Sequence, residues 1–374
     1  MQGKRSDQNL ERALSTFGPL FAERAKILDE TDAFAHENFK ILRENRLLSA
    51  MIPEEFGGQG LSYSAMCRFL SDLAQYCPST ALVLSMHQHV VASAMVNHRL
   101  GRPGQKLLEN VGRDEALVIT TVANDWLSSN GTAKPVAGGY EVSAQKQFVS
   151  GAAGGDVLMT SARLLADGAA NEVIHFTVPM NATGVTLQGG WQAHGMRGTG
   201  SERVAFDGVF VPEGAVTLRR PSTGLHPLFH VILSVAPTLI MACYVGIAER
   251  AAALAFALAR SNCDDPVTLM QTSELEVRRK TVRLAHKDMV ERIDDLRFEP
   301  SETSAHETLV SKAIIARETL RTCEKALEIA GGSGMLRVNE IERLLRDARA
   351  AQFHPLTAKQ QPHFIGRLPL ASGA

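Results

Sequence analysis

A few stretches of this chain carry reactive or ligand-holding residue types at a useful spacing. In KQFVSGA (146–152) an aromatic, Phe148, stands two residues before a hydroxyl, Ser150. A strand hairpin of this kind can present a ring to the face of a flat ligand and a hydroxyl to its edge. Strand alternation alone reads Phe148 equally as buried packing. The pair Gly331-Gly332 lets backbone approach a phosphate, because glycine has no side chain in the way; an isolated pair is by default a helix stop. His354 is one of 12 histidines, and its type suits proton transfer near neutral pH, although a lone histidine is more often structural. His87 and His89, two apart in SMHQHV, point to different faces if the segment is helical. They make poor metal ligands and are expected to pack or to line a pocket. No GxSxG elbow, P-loop or strand-borne GxGxxG is present, so hydrolase and kinase readings have no footing.

The elements that must position these residues fall into three blocks. Residues 1–115 read as helices, with Leu10, Leu14, Phe17, Phe21 and Ile27 recurring at helical spacing and the turn IPEEFGGQGLS (52–62) interrupting them. Ser71 to Met95 is expected to be helical again. From 116 to 221 the texture is short, β-branched and punctuated by Gly, Asn and Asp, in ALVITTVA, GYEVSA, KQFVSGA, DVLMTSA, EVIHFTVP, GVTLQG and RVAFDGVFVP. That pattern predicts an antiparallel sheet. Residues 222–374 return to helices, the long stretches being 239–260, 273–297 and 305–330, with GGSG (331–334) as a stop. The fold class is therefore α+β.

Composition agrees with an ordinary globular protein of more than one structural unit: 374 residues, 45% hydrophobic, 21% charged, and a net charge of −1 from 39 basic and 40 acidic residues. Such balance speaks against nucleic acid or an anionic membrane as partner. The five cysteines are scattered without a CxxC pair, which suits a reducing cytoplasmic setting and gives no zinc site. The N-terminal residues lack the apolar core of a signal peptide. Val231 to Ala248 is nearly all apolar but holds Ser234, Pro237 and Thr238, and is expected to be a buried helix, not a membrane span.

Helices, a small sheet and helices again, together with four local motifs, resemble the acyl-CoA dehydrogenase superfamily. The motifs are ILRENRLLSAMIPEEFGGQGLS (41–62), GGYEVSAQKQFVSGA (138–152), MRGTGSERVAFDGVFVPEGAV (196–216) and ALEIAGGSGMLRVNEIERLLRDARA (326–350). The resemblance implies a flavoenzyme fold with an N-terminal helical domain, a central β-domain and a C-terminal helical bundle. It implies FAD as cofactor, with FMN possible. Phe148 takes the place of the aromatic that packs on the flavin ring, Ser150 that of the hydroxyl reaching flavin N5, and Thr121 that of a threonine near the pyrimidine edge. Arg260, Gly331 and Gly332 fall where the family holds the pyrophosphate and adenosine half, partly from a neighbouring subunit. Thr357 matches a threonine of the family's C-terminal motif. A homotetramer or homodimer is implied, as are a small-molecule substrate such as an acyl-CoA and an electron-transfer or flavin-reducing partner.

Two departures change the expected chemistry. Acyl-CoA dehydrogenation needs a carboxylate base; at the family's usual position stands Pro355, and near its alternative position on the long helix stands Ala236. No carboxylate occurs between Glu213 and Glu249. The family's R-x-x-F-G is missing after Arg260, and Glu328 replaces its glutamine. Three readings follow: a flavin-dependent CH–CH oxidoreductase with a non-standard base, a reduced-flavin monooxygenase, or a non-catalytic flavin binder. Reduced-flavin monooxygenases of this fold show Ser-Gly after the flavin hairpin and a histidine near the C-terminus, as Ser150-Gly151 and His354 do here. There His354 could hydrogen-bond an oxygenated flavin or accept a phenolic proton.

Overall fold

The computed structural model describes residues 2–121, 123–165, 172–223 and 226–371. The first helical block comprises α1 (Gln2–Thr31), α2 (His36–Glu44), α3 (Tyr63–Ala74), α4 (Pro78–Arg99) and α5 (Gln105–Asp114). The 71–95 stretch is not one helix. It breaks at Gln75–Cys77, because Pro78 has no N–H to continue a ladder and instead starts α4.

The sheet strands are β1 (Val118–Thr120), β2 (Thr132–Val136), β3 (Gly139–Val149), β4 (Val157–Leu164), β5 (Glu172–Pro179), β6 (Val185–Gly189), β7 (Glu202–Pro212) and β8 (Val216–Pro221). Their order is β6-β7-β3-β2-β4-β5-β8, with β1 added beside β4. Most pairings are antiparallel, but β1–β4 and β2–β4 are parallel. β3 folds back on β2 and gives its other edge to β7, so the free edge of β2 takes β4 running the same way. The expected strand in ALVITTVA shrinks to three residues, and α6 (Ala123–Ser128) follows it. The Trp126 indole of α6 donates back to Thr120 Oγ1 at 3.0 Å, closing the turn.

The C-terminal block holds α7 (Leu228–Ala259), α8 (Pro266–Ile293), α9 (Glu302–Ala330), α10 (Glu340–Ala348) and α11 (Gln361–Ala371). Caps fix their starts: Asp265 accepts from Thr268 N at 2.8 Å before α8, and Ser301 and Ser304 form a reciprocal capping box before α9. The α7 segment is long and apolar enough to cross a membrane, yet its most apolar window is 94% buried inside the fold. It packs between α3 and α4 on one side and α8 and α9 on the other. Tyr63 Oη donates to Val235 O at 2.7 Å across the first of these contacts.

At Gly246 the backbones of α3 and α7 come close together. A Cβ there would lie 2.1 Å from Ser71 O and 2.7 Å from Ala74 Cβ. Since the first neighbour is backbone, the helices must separate. Gly246→Ala is expected to destabilise by about 1–3 kcal/mol despite the better helix propensity of alanine, read as a lower urea midpoint.

Candidate functional site

The hairpin site begins with a break in strand alternation. Along β3, Val142, Ala144 and Lys146 are buried and the residues between them exposed, so Phe148 should point inward. It does not: the pairing of β3 with β7 slips between Lys146 and Val149. Such a bulge re-aims the side chains beyond it. Phe148 takes φ +52°, unusual for a bulky residue, and is 57% exposed. Its ring meets Trp191 edge-on at 6.4 Å. The buried-packing reading of Phe148 therefore fails, and two aromatic rings at 84° make an open corner. Beside it, Ser150 Oγ lies 3.0 Å from Ser201 Oγ, which in turn lies 2.8 Å from Thr199 Oγ1. Gly151 has φ +81° and donates to Thr199 O at 2.9 Å. The hydroxyls thus line the seam where β3 ends and the 196–201 turn begins.

Thr121 is buried, and its partners were not foreseen in the sequence. Its Oγ1 donates to Asp125 Oδ2 at 2.7 Å, and Thr160 Oγ1 donates to the same oxygen at 3.0 Å. Asp125 Oδ1 accepts from Lys146 Nζ at 2.7 Å and from Asn130 N at 3.0 Å. Lys146 completes its bonds with the carbonyls of Asn130 and Ser161. Burial lowers the Lys146 ammonium pKa, and the facing Asp125 works against that.

His354 and Thr357 sit together in the turn between α10 and α11. His354 Nε2 is 2.5 Å from Tyr244 Oη, on the middle of α7. Lys312 of α9 donates to His354 O at 3.0 Å, Leu356 O at 2.6 Å and Gln361 Oε1 at 3.0 Å. It is 1% exposed, and no carboxylate pairs with it among the described residues. Burial pushes the Lys312 pKa down to about 8. His354 is pushed down to about 3, by burial first and by the Lys312 charge second. Thr357 Oγ1 donates to Gln360 Oε1 at 3.0 Å and so serves the local turn. Asp347, on α10, accepts from Met196 N at 2.5 Å, which ties the helical side to the turn beside Ser150. Burial raises the Asp347 carboxyl to about 6.

Arg260, Gly331 and Gly332 form a separate group. Arg260 ends α7 and the glycines end α9; both positions are exposed, and the two parallel helices carry them to one end of the bundle. Arg260 is 16 residues beyond Tyr244, about 24 Å along the axis at 1.5 Å per residue. Glu328 is engaged by Lys325 at 2.6 Å and by Gln271 at 3.1 Å. His87 packs, as expected: Nε2 meets Leu48 O at 2.9 Å and Nδ1 accepts from Val118 N at 3.0 Å. His89 Nδ1, Ser93 Oγ and Asn97 Oδ1, one turn apart on α4, are buried without a partner. No cluster of three potential metal ligands occurs among the described residues.

Comparison with known proteins agrees with this architecture. The acyl-CoA dehydrogenase N-terminal, middle and C-terminal domains match residues 18–107, 122–209 and 238–359. An acyl-CoA dehydrogenase of Bacillus subtilis (strain 168) is 24% identical, covering 92% of this chain and 93% of that protein. A probable FMNH2-dependent monooxygenase, SfnC of Pseudomonas putida, is 25% identical over 89% of this chain and 88% of its own length. The crystal structure of a KijD3 in complex with FMN and a dTDP-linked amino keto sugar superposes with a TM-score of 0.88 at 24% identity, covering 98% of this chain and 94% of that one. With all three domain descriptions matched in order, the chain belongs to the acyl-CoA dehydrogenase superfamily of flavin-dependent oxidoreductases.

Proposed function

We propose that this protein is a reduced-flavin-dependent monooxygenase acting on a small molecule, and that it does not carry out the acyl-CoA dehydrogenation typical of its family. One observation carries the reading: where a dehydrogenase needs a carboxylate, the chain has Pro355 and Ala236, and the titratable groups beside that position are His354, Tyr244 and the cation Lys312. The nearby acid Asp347 is committed to Met196 N. A buried cation suits the stabilisation of negative charge, and an imidazole whose pKa burial and Lys312 push down to about 3 is a weak base for an α-proton.

The open corner at Phe148 and Trp191 fits a flat ring with a polar edge. Phe148 would pack on the ring, Ser150 would meet its N5 edge, and Thr121 would stand by the pyrimidine edge. When bound, the reduced flavin would supply the two electrons that activate dioxygen. His354 would face the substrate from the helical side, and the Met196–Asp347 link would hold the two halves of the site in register. The contacts for an adenosine half are incomplete, since Glu328 is already paired and the phenylalanine–glycine after Arg260 is missing. FMN would therefore suffice, and chromatography of the released cofactor distinguishes it from FAD. Phe148→Ala is expected to weaken flavin binding more than Ser150→Ala. A buried aromatic face contributes about 1–3 kcal/mol and a hydroxyl hydrogen bond nets about 0.5–1.5 kcal/mol. Flavin titration of the two variants checks the order, and a wild-type chain that binds neither FMN nor FAD overturns the whole reading.

Arg260 stands about 24 Å along α7 from Tyr244, at the end of the bundle shared with Gly331 and Gly332, which supports the three serving a neighbouring subunit. The exposed apolar side chains of Val267, Leu269, Met270, Met335, Leu336 and Val338 cluster in sequence around that end. A homodimer or homotetramer is expected by light scattering at micromolar concentration; a flavin-loaded monomer would contradict it.

A further inference from the structure

Tyr244 and His354 share one short hydrogen bond, 2.5 Å from Oη to Nε2, with the rings 5.4 Å apart between centroids. Which group donates follows from what each hydrogen can reach. Tyr244 is fully buried, and its Oη has no other hydrogen-bond partner among the described residues. A phenol has one hydrogen. If the imidazole donated through Nε2–H, the phenol's own hydrogen would be left inside the fold with no acceptor. The phenol must therefore donate, and Nε2 must accept.

A neutral imidazole then carries its own hydrogen on Nδ1. His354 Nδ1 makes no hydrogen bond among the described residues, and it is not among the buried unpartnered atoms, so it keeps some accessible surface. Charging the ring is opposed on every side. A second ring hydrogen would point at the phenol's, and the Lys312 ammonium is bound to the carbonyl of the same residue at 3.0 Å. The titratable groups around the pair are Lys312 from α9, Cys243 beside Tyr244 on α7, and Asp347 from α10. The last two both raise the Tyr244 pKa further, after burial, so the phenol does not ionise.

We propose that Tyr244 is a positioning residue that locks His354 as a neutral ring with its hydrogen on Nδ1. The ring then offers a hydrogen-bond donor to an electron-rich oxygen, such as a phenolate or carbonyl, and has no free nitrogen with which to accept a proton. This narrows the reading above, on which it rests for the role of His354 in turnover; the lock itself does not depend on that role. It also predicts that a substrate whose reacting region lacks an acceptor atom is not held at this ring.

The test is nitrogen-15 spectroscopy of the holoprotein with labelled imidazoles, the His354 signals being assigned by their loss in His354→Gln. The expected wild-type spectrum has a protonated Nδ1 and an unprotonated Nε2, unchanged between about pH 5.5 and 8.5. In Tyr244→Phe the lock is gone, so a mixture of tautomers appears. kcat then becomes pH-dependent across the same range while KM stays near the wild-type value. A hydrogen on Nε2 in the wild type, or a titration near pH 6–7 of an ordinary imidazole, overturns the proposal. The wild-type spectrum decides the lock even if Tyr244→Phe does not fold. Full turnover by His354→Gln would sink the catalytic role and, with it, the donor role; an Nδ1–H signal would in that case still establish the tautomer.

Discussion

Asp125→Ala is expected to cost about 3–5 kcal/mol of folding stability, because it strips the partner from a buried cation. Lys146 has a fully buried side chain and Asp125 one that is 6% exposed. The lysine keeps two carbonyl acceptors after the change, but no other carboxylate among the described residues pairs with it. Thr121, Thr160 and the backbone N–H of Asn130 lose their acceptor in the same step. Since ordinary domains are stable by only about 5–15 kcal/mol, the loss is a large share of the total. Urea denaturation of the single variant and of Asp125→Ala with Lys146→Met separates the causes. The double variant removes the stranded charge and should recover part of the loss. An unchanged midpoint in the single variant would show that the pair does not hold the sheet to α6.

The second large effect is chemical. Anaerobic mixing of the oxidised flavoprotein with saturated acyl-CoA thioesters is expected to leave the flavin absorbance unbleached, or to bleach it far more slowly than turnover of the true substrate. Proton abstraction needs a base within hydrogen-bond reach, and general base catalysis is worth roughly 10²–10⁴-fold. At the two family positions stand Pro355 and Ala236, while His354 has its accepting nitrogen filled by Tyr244. His354→Ala is expected to leave flavin affinity near wild type and to cut turnover of the true substrate by roughly 10²-fold or more, the scale for losing one donor to developing charge. Rapid bleaching by any acyl-CoA would reveal a base elsewhere and return the protein to the dehydrogenases.

The order of helices and strands was legible because texture changes sharply at the sheet: β-branched runs cut by Gly and Asp read differently from 3.6-residue periodicity. The four glycine-rich motifs carried the family. Local departures were not legible where a distant contact decides them. Phe148 faces out only because β7 slips against β3, and nothing in KQFVSGA announces that slip. Asp125 and Lys146 lie 21 residues apart and meet through the sheet, so no spacing rule pairs them. Tyr244 hid within an apolar run, and its meaning depends on His354, 110 residues later. Pro355 and Ala236, by contrast, were visible as missing carboxylates, since an absence at a motif position needs no geometry.

Helix α7 has a consequence for how the chain folds. The apolar faces of α3 and α4, finished in sequence by residue 99, are covered by a helix that begins at residue 228. An emerging chain therefore carries its first helices half-clothed until roughly 130 further residues, the sheet among them, have followed. The loop to be closed is long, and its entropy must be met before the reward of the Tyr63–Val235 contact arrives. The same helix then seats α8 and α9, so sequence-distant ends of the protein share one central strut. Loosening it at Gly246 would weaken both ends together, and the polypeptide would lose its helical parts in a single cooperative step instead of shedding them in turn.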